Sequence, residues 1–259
     1  MESKIKSDLL KFAGLSKADL HIHSQYSDGK ASIEEILEYV EEKTDLKVIA
    51  ITDHDTIEGA VKADEIVKKG KLHFDLIIGE EITSRNGHIV GLFLKDKVEP
   101  GMSARKTINA IHKQGGLAVA VHPFYKTHYF HPDNPIMHGV GPQILFRLRL
   151  LFDAVEVINA TPTLGHENYL ADIFNKTIVH SAETGSSDAH TKKAIGHGYT
   201  LFEGKTKEDL KKALKRAQTK AMYVRWNILE ILRYFYFFIP QGLRILTYSI
   251  LHPRQLKKD

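Results

Sequence analysis

The sequence predicts an α/β fold in which about seven strand–helix units close into a barrel. Short apolar segments rich in β-branched residues alternate with segments of helical periodicity, and this alternation is typical of βαβ units around a parallel sheet. Histidines and acidic residues directly follow several of these strands. Because the carboxyl ends of parallel barrel strands share one rim, these side chains are predicted to meet there.

The first half of the barrel is predicted from five strands and three helices. The first helix begins after the N-cap Ser32, with acids in its first turn, and the second ends at Gly70. In chain order the predicted elements are strand 18–24, helix 32–44, strand 47–53, helix 56–70, strands 74–83 and 88–94, helix 103–116 and strand 117–123.

The second half is predicted from three strands and two helices, and it completes a barrel domain over residues 1–219. A helical tail, residues 220–259, follows this domain. The elements of the second half are strand 152–160, helix 165–177, a strand and loop within 177–190, strand 196–202 and helix 205–218.

Composition separates the tail from the barrel domain. Seven lysines and arginines against two acids give residues 220–259 a net charge of +5, which leaves −1 for residues 1–219. A nearly neutral body does not favour a groove for nucleic acid. The chain has no cysteine, which excludes disulfides and thiolate metal sites. Because the N-terminus has no long apolar segment, we expect no secretory signal and a cytoplasmic protein.

The segment "ADLHIHSQYSDG", residues 18–29, is the first candidate for a metal site. In a strand, Asp19, His21 and His23 share one face, where a purely structural strand would carry Val or Leu. The Ser-Asp-Gly that follows is typical of a turn. This segment therefore predicts one half of a metal site.

Candidate ligands recur after the later strands. Taken singly, each is better explained as a hydrogen-bonded histidine, a polar turn or a solvated acid. Their recurrence at one strand end after another favours a metal cluster. Imidazole and carboxylate without thiolate suit zinc, manganese or iron, and the number of candidates indicates two or three ions. The later candidates are Asp53, His54, Asp55, Glu80, Glu81, His88, His122, Asp188 and His190.

Five short motifs together resemble those of the PHP (polymerase and histidinol phosphatase) superfamily. They are, in this order, "DLHIHSQYSDG", "ITDHDT", "GEEIT", "VHP" and "SDAH". The resemblance covers roughly residues 17–218, and the motifs are specific only as a set. It implies a distorted seven-stranded (β/α) TIM-like barrel with two or three divalent metal ions and phosphoesterase activity.

Nine residues would hold the metal ions if the resemblance extends to the ligands. Glu81, rather than Glu80, matches the Gly-x-Glu pattern of the family and would bridge two ions. Many relatives have His in place of Asp28, and an oxygen ligand there would favour manganese or iron. Asp53 and Asp55 are interpreted as groups that support ligands or cap a helix. The first ion would bind His21, His23, Glu81 and Asp188, the second Glu81, His122 and His88, and the third Asp28, His54 and His190.

The chemistry expected of such a site is hydrolysis by a metal-bound hydroxide that attacks phosphorus in line. A metal pair lowers the pKa of bound water and neutralises phosphoryl oxygens. We expect Glu81, Asp188 and His190 to be catalytic through the metals. Arg85, shortly after Glu81, would bind a phosphate oxygen or remain a solvated loop residue.

The tail is predicted to form two helices separated at Pro240 and Gly242. Its longest run without charge, "YFYFFIPQGL", has ten residues, too few for a helix that spans a bilayer. Arginines interrupt apolar faces rich in aromatic residues. This pattern resembles an interfacial hairpin that would bind an anionic membrane surface through residues 223–259. Packing against the barrel or another subunit explains the same pattern equally well.

The favoured function is a metal-dependent phosphoesterase that acts on a small phosphorylated metabolite or nucleotide. A PHP-type exonuclease on single-stranded nucleic acid, 3'-5' or 5'-3', is the second candidate, and the neutral body disfavours it. An amidohydrolase that cleaves C–N bonds would also begin with His-x-His on a barrel strand, but the Ser-Asp-Gly and "TDHDT" motifs favour PHP. A non-catalytic module that docks through its tail would not need the intact ligand motifs.

Overall fold

The computed structural model describes residues 14–70, 72–126 and 138–251, and within these ranges it contains nine strands and seven α-helices. The strands are β1 (Ser16–Asp19), β2 (Val48–Ile51), β3 (Asp75–Ser84), β4 (Gly87–Leu92), β5 (Leu117–Ala120), β6 (Ala154–Asn159), β7 (Ala182–Ser186), β8 (Gly198–Phe202) and β9 (Lys220–Tyr223). The helices are α1 (Ile33–Lys43), α2 (Glu58–Lys69), α3 (Ala104–Lys113), α4 (Gly141–Arg147), α5 (Gly165–Phe174), α6 (Lys207–Lys215) and α7 (Ile228–Leu251).

All nine strands belong to one mixed sheet in the order β7-β6-β5-β4-β3-β2-β1-β8-β9. The predicted parallel sheet is correct only in part, because β8 runs antiparallel to β1, and β4 runs antiparallel to β3 and β5. A two-residue turn at Arg85 and Asn86 joins β3 to β4, and so short a connection permits only antiparallel pairing. The prediction of an α/β barrel of TIM-like type is confirmed, with nine strands instead of seven among the described residues.

The sheet curls into a nearly closed barrel whose seam lies between β7 at one edge and the pair β8 and β9 at the other. Thr200 of β8 bridges the seam, because its hydroxyl accepts from the N–H of Gly185 at 3.0 Å and donates to the carbonyl of Gly185 at 2.9 Å. A Cβ atom on Gly185 would lie 2.6 Å from the carbonyl oxygen of Tyr199. Glycine is therefore what lets the two strands approach across the seam.

The barrel closes more directly beyond the carboxyl ends of β1 and β7. Ile22 and Ala189 form a parallel bridge, and the N–H of His23 donates to the carbonyl of Ala189 at 2.9 Å. The strand predicted over residues 18–24 is thus shorter, but the chain stays extended past Asp19. Closure at this rim brings the segments after the first and seventh strands into contact.

The barrel interior is filled by a hydrophobic cluster to which each of β1 to β8 contributes. Large members include Val48, Ile77 and Phe202, all fully buried. Helix α6 adds Leu210 and Leu214 to the same cluster and lies near the start of β3, where the N–H of Lys207 donates to Asp75 at 2.8 Å. The apolar core therefore occupies the end of the barrel opposite the rim where β1 and β7 close.

The tail differs from its prediction in two respects. Its first residues, Lys220–Tyr223, form β9 and pair with β8, and Ile228–Leu251 form one continuous helix. The predicted break at Pro240 and Gly242 is wrong. A proline inside a helix costs about 3 kcal/mol but removes a single N–H donor, so the helix can continue on both sides of it.

Much of helix α7 is apolar and exposed. Leu229, Tyr236 and Leu243 are each more than half exposed. Within the described part of the chain, no helix combines the length and hydrophobicity needed to cross a membrane. Residues 252–259, the end of the segment predicted to bind anionic lipid, lie outside the described residues. Contact of the tail with a membrane or another subunit stays a prediction.

The capping box at the start of α1 provides a test of local stability. Ser32 Oγ accepts from the N–H of Glu35 at 3.2 Å, and Glu35 accepts from the N–H of Ser32 at 3.0 Å. Ser103 holds the same N-cap position before α3 without a capping hydrogen bond. We expect Ser32→Ala to lower the free energy of unfolding by about 1 kcal/mol, and Ser103→Ala by less than about 0.5 kcal/mol, in urea denaturation. Equal losses for the two variants would contradict this account.

Candidate metal centre

Nine histidine, aspartate and glutamate side chains converge at the closing rim of the barrel. They form four groups, and in each group the ligand atoms all lie within 4.8 Å of one another. The groups are His23, Asp28, His54 and His190; His21, His122 and Asp188; His21, His23 and Glu81; and His54, Glu81 and His88. The four groups contain all nine predicted metal ligands, and no other described residue joins one.

Strand ends place most of these side chains. The residues just past a strand are His21 and His23 after β1, His54 after β2, His122 after β5, and Asp188 and His190 after β7. Glu81 and His88 lie within β3 and β4, and Asp28 lies in the loop that leads to α1. The prediction that ligands follow successive strands therefore describes where the structure brings them together.

Glu81 lies at the centre of the cluster, and its two carboxylate oxygens face different histidines. Oε1 lies 2.8 Å from His88 Nδ1 and 3.0 Å from His122 Nε2. Oε2 lies 3.0 Å from His21 Nε2, 3.2 Å from His23 Nε2 and 3.4 Å from His54 Nδ1. One buried carboxylate is thus surrounded by five imidazoles, and its predicted role as a bridge between two ions stays a prediction.

The other two carboxylates complete the cluster, and one of them marks its open edge. Asp188 Oδ1 lies 3.2 Å from His23 Nε2. Asp28 Oδ2 lies 3.1 Å from His190 Nε2 and 3.9 Å from His54 Nε2. The side chain of Asp28 is 37% exposed, whereas that of His23 is fully buried. The cluster is therefore accessible from the side of Asp28, His54 and His190.

Burial and neighbouring charges shift the pKa values of these groups in opposite directions. Burial raises the pKa of Glu81, but the imidazoles of His54, His88 and His21 lower it more, so its pKa lies well below the usual range. Burial lowers the pKa of His21, yet Asp188 and Glu81 raise it well above its usual value. For His54 burial prevails and lowers the pKa to about 3. The pKa values of His21, His23, His122 and His190 are raised by the neighbouring carboxylates, so a metal ion that binds here would displace protons from these imidazoles.

His23 shows most directly that the donor set suits a cation. Both of its ring nitrogens are buried and lack a well-aligned hydrogen-bond partner among the described residues. Nevertheless Glu81 and Asp188 each lie 3.2 Å from Nε2, and Asp28 lies 3.7 Å from Nδ1. Three carboxylates around one buried imidazole favour a positive charge among them, which either a proton on His23 or a divalent ion would supply.

Two of the nine residues hold their side chains in place with left-handed backbone. His122 has φ of 28° and Asp188 has φ of 50°. Non-glycine residues in this region cost on the order of 1–3 kcal/mol, and such strain is concentrated at functional sites. The chain therefore gives up local stability to direct these two side chains into the cluster.

Glu156 and Asn159 of β6 contact the cluster from its buried side. Neither residue was predicted from the sequence. Glu156 Oε1 lies 3.1 Å from His21 Nδ1, and Glu156 Oε2 accepts from the N–H of His122 at 2.7 Å. Asn159 Nδ2 donates to Glu156 Oε2 and to Asp188 Oδ2, each at 3.0 Å. A carboxylate on the far nitrogen of a ligating histidine fixes its tautomer and orientation.

A pattern in β6 could have revealed these two residues. The strand reads "AVEVIN", and both Glu156 and Asn159 are 1% exposed. A glutamate inside an apolar strand is rarely buried without a specific partner. Its position in a predicted core strand was therefore the available indication of a role at the rim.

Three further aspartates near the cluster accept hydrogen bonds from loop residues and belong to none of the four groups. Asp53 accepts from Ser24 N–H, Ser24 Oγ and Ser27 Oγ, each at 2.7 Å, and so holds the loop that carries Asp28. Asp55 accepts from the N–H of Thr83 at 2.7 Å. Asp19, predicted to share a face with the first two histidines, accepts from Ser187 N–H at 3.0 Å and Gly196 N–H at 2.8 Å. They position loops around the site.

Glu80 and Arg85 lie apart from the cluster. Glu80 Oε2 accepts from the N–H of Val98 at 2.8 Å, and burial raises the pKa of Glu80 to about 7. Glu81, and not Glu80, therefore belongs to the cluster, and its role as a metal ligand stays a prediction. Arg85 is exposed, and its Nε donates to the carbonyl of Gly101 at 2.8 Å. None of its described hydrogen bonds or ion pairs reaches the cluster, and its role in phosphate binding stays a prediction.

Comparison with known proteins gives one family match and several relatives. The family model for the PHP domain matches residues 19–223. An uncharacterized protein of Methanocaldococcus jannaschii is 41% identical over 173 residues, which cover 62% of this chain and 91% of that protein. A 5'-3' exoribonuclease of Haemophilus influenzae is 40% identical over 92 residues, which cover 34% of this chain and only 32% of the exoribonuclease.

A solved structure agrees with the fold. It is a two-domain protein of Bacteroides vulgatus that contains a predicted PHP-like metal-dependent phosphoesterase. The two structures superpose with a TM-score of 0.62 at 20% identity, and the match covers 87% of this chain and 71% of the other. At this level of identity the similarity concerns the fold alone.

The position of Glu81 in two of the four groups predicts how metal content responds to substitution. We expect Glu81→Gln to lose roughly two equivalents of metal after refilling with zinc, and Asp28→Asn about one, because an amide is a poor ligand. Glu80→Gln is the matched control and should bind metal as the wild type does. Elemental analysis after gel filtration measures the content. An unchanged metal content in Glu81→Gln would contradict the central position of this residue.

The contact between Glu156 and His21 predicts a weaker but measurable effect. We expect Glu156→Gln to lower zinc affinity about tenfold to hundredfold, the range seen when the partner of a ligating histidine is removed. Competition with a chromophoric chelator measures the affinity. Glu183→Gln, on neighbouring β7, removes a carboxylate that pairs with Lys220 at 2.7 Å and serves as control. Equal affinities in Glu156→Gln and the control would show that Glu156 does not orient the ligand.

Proposed function

The chain belongs to the PHP domain family, and on this premise we propose that it is a metal-dependent phosphoesterase that hydrolyses phosphate esters of a small metabolite or nucleotide. The observation that carries the proposal is the environment of Glu81. Five imidazole nitrogens lie 2.8 to 3.4 Å from its two buried oxygens. A carboxylate placed in this way suits a bridge between two divalent cations, as phosphoester hydrolysis by a metal pair requires.

The nine residues of the cluster would hold two or three such ions. Six imidazoles and three carboxylates with no thiolate favour zinc, manganese or iron over softer metals. Glu81 would be shared between ions, and Asp28 would supply oxygen to the ion at the open edge. The carboxylate at this position favours manganese or iron for that ion.

Divalent ions bound here would neutralise phosphoryl oxygens and lower the pKa of a water molecule, which is the chemistry needed for ester hydrolysis near neutral pH. The chain itself determines the direction of approach. Glu81 and His23 are closed off by the barrel, whereas Asp28, His54 and His190 border solvent. The phosphate group enters over this edge. Glu156 holds His21 and the backbone of His122 from the buried side, so the cluster stays fixed as the ester binds.

An exonuclease on single-stranded RNA or DNA is the second candidate. Its support is the identity of 40% with the Haemophilus influenzae exoribonuclease, over a region that covers about a third of that protein. Charge opposes it, because residues 1–219 carry a net charge of −1 and a polyanionic strand is bound mainly through basic side chains. Hydrolysis of a small phosphate ester is therefore the preferred function.

Hydrolysis by chelator-stripped protein refilled with zinc, manganese or iron tests the proposal. The substrates are p-nitrophenyl phosphate, bis-p-nitrophenyl phosphate, nucleoside monophosphates, histidinol phosphate and a short single-stranded oligonucleotide. We expect metal-restored turnover that falls at least about hundredfold in His21→Ala, since an imidazole is lost from the metal centre. His73→Ala, which removes an imidazole paired with Glu41 away from the cluster, should retain full activity.

The pattern of substrates decides between the two candidates. Preferred turnover of monoesters supports the phosphatase, and preferred degradation of the oligonucleotide supports the exonuclease. No turnover with any metal, although the protein binds metal in stoichiometric amounts, would reject both.

A further inference from the structure

A cavity of about 260 Å³ lies beside the open edge of the metal centre. Its wall is formed by three segments: the loop before α1 with the first turn of that helix, the segment after β7, and the first two turns of α7 with Trp226, two residues before that helix. The tail thus provides one side of a cavity whose other sides belong to the barrel. A cavity of this size is small for a ligand site, which indicates a compact occupant.

The cavity and the metal centre are joined through neighbouring residues. Lys30 lies two residues after Asp28, and Thr191 directly follows His190, so both loops run from the open edge into the cavity wall. The N–H of Lys30 donates to the carbonyl of His190 at 2.9 Å, which fixes the two loops to each other. A group that leaves from a phosphate held over this edge would extend directly into the cavity.

Aromatic side chains of the tail form a fixed apolar surface in the cavity. Trp226 Nε1 donates to the carbonyl of Ala160 at 2.7 Å, and its ring stacks on His197 with centroids 4.1 Å apart. Tyr234, which is almost completely buried, meets the indole edge to face at 5.2 Å. Rings held on several sides lose little entropy when a planar ligand stacks on them.

The rest of the lining comprises four cationic residues, two carboxylates, an alanine and a threonine. Lys192 pairs with Glu35 at 3.2 Å, and Glu230 caps α7 by accepting from the N–H of Asn227 at 2.8 Å. Both carboxylates of the cavity wall, Glu35 and Glu230, therefore already have partners. Among the residues that the structure describes, Lys30, Lys193 and Arg233 form no ion pair. The cavity therefore offers cations to a second negative charge on the ligand.

We propose that this cavity binds the leaving group of the phosphate ester, that this group is aromatic and carries a further negative charge, and that Trp226, Tyr234 and Arg233 determine specificity for it. The inference rests on the proposed function. It makes the beginning of the predicted tail a wall of the active site. The planar part of the leaving group stacks on the indole, and its anionic substituent pairs with Arg233 and the nearby lysines.

Trp226 is the single tryptophan of the chain, so its fluorescence reports the cavity without any need for turnover. Zinc-loaded full-length protein is titrated with three phosphonates that cannot be hydrolysed: 4-phosphonobenzoate, phenylphosphonate and methylphosphonate. We expect the emission of Trp226 to change with the two aromatic probes and not with methylphosphonate. Affinity for phenylphosphonate should be about tenfold lower than for 4-phosphonobenzoate, as loss of one charge-assisted hydrogen bond predicts.

Two variants and one control locate the effect. Arg233→Gln should lower the affinity for 4-phosphonobenzoate about tenfold and that for phenylphosphonate less than about threefold, because only 4-phosphonobenzoate carries a carboxylate in addition to its phosphonate. Trp226→Leu should weaken the inhibition of hydrolysis by both aromatic probes, with thermal unfolding recorded to establish that it folds. Leu229→Ala, on the exposed side of the same helix, should behave as the wild type.

The outcomes separate this proposal from the one on which it rests. Equal affinities for methylphosphonate and 4-phosphonobenzoate would overturn the aromatic pocket. Inhibition of hydrolysis by 4-phosphonobenzoate without any change in Trp226 emission would also overturn it and leave the phosphoesterase intact. A change in Trp226 emission with 4-phosphonobenzoate but not with methylphosphonate, in a protein that hydrolyses no ester, would support the pocket and reject the phosphoesterase.

Discussion

The structure depends on the burial of one carboxylate. An ionised group removed from water costs several kcal/mol unless partners surround it, and Glu81 is 1% exposed. Its partners come from the segments after β1, β2 and β5 and from β4. Four segments must therefore reach one point on the rim, and their lengths and end points follow from that requirement. The β3–β4 hairpin, which breaks the parallel order of the sheet, is one of its results because it brings His88 to the same carboxylate.

The same requirement explains where the chain departs from low-energy geometry. His122 and Asp188 both adopt left-handed backbone, and both are connected to Asn159 or Glu156 of β6. The strain at the two positions is held by a polar network under the cluster instead of by apolar packing. An apolar residue in place of Glu156 would fill space but would leave the N–H of His122 and one nitrogen of His21 without an acceptor.

Sequence reasoning recovered the parts of the site that local pattern encodes. His21, His23 and Asp188 stand out because histidines and acids at strand ends have no use in a core, and the motif order linked them to a family. Glu156 was missed because the prediction used only residues at strand ends, and a glutamate inside the apolar strand β6 reveals its partners His21 and His122 only once β6 lies beside β5. The mixed sheet and the unbroken α7 were missed for a related reason. The direction of β8 depends on long-range pairing with β1, whereas the direction of β4 follows from the short turn at Arg85 and Asn86, which the prediction of a parallel sheet did not take into account. Continuation of the helix through Pro240 depends on the hydrogen bonds of the helix as a whole and not on the local propensity of proline.

The bridge between Ile22 and Ala189 has a consequence for the order of events during synthesis. Six of the nine clustered residues lie within the first 88 residues, so they leave the ribosome early, without the strands that close the barrel. Their final arrangement needs Asp188 and His190, which are made about a hundred residues later. Contacts of such sequence separation form late in folding. The cluster is therefore complete only after the segment that follows β7 has been made, and a divalent ion that needs the whole cluster would stabilise this closure of the barrel.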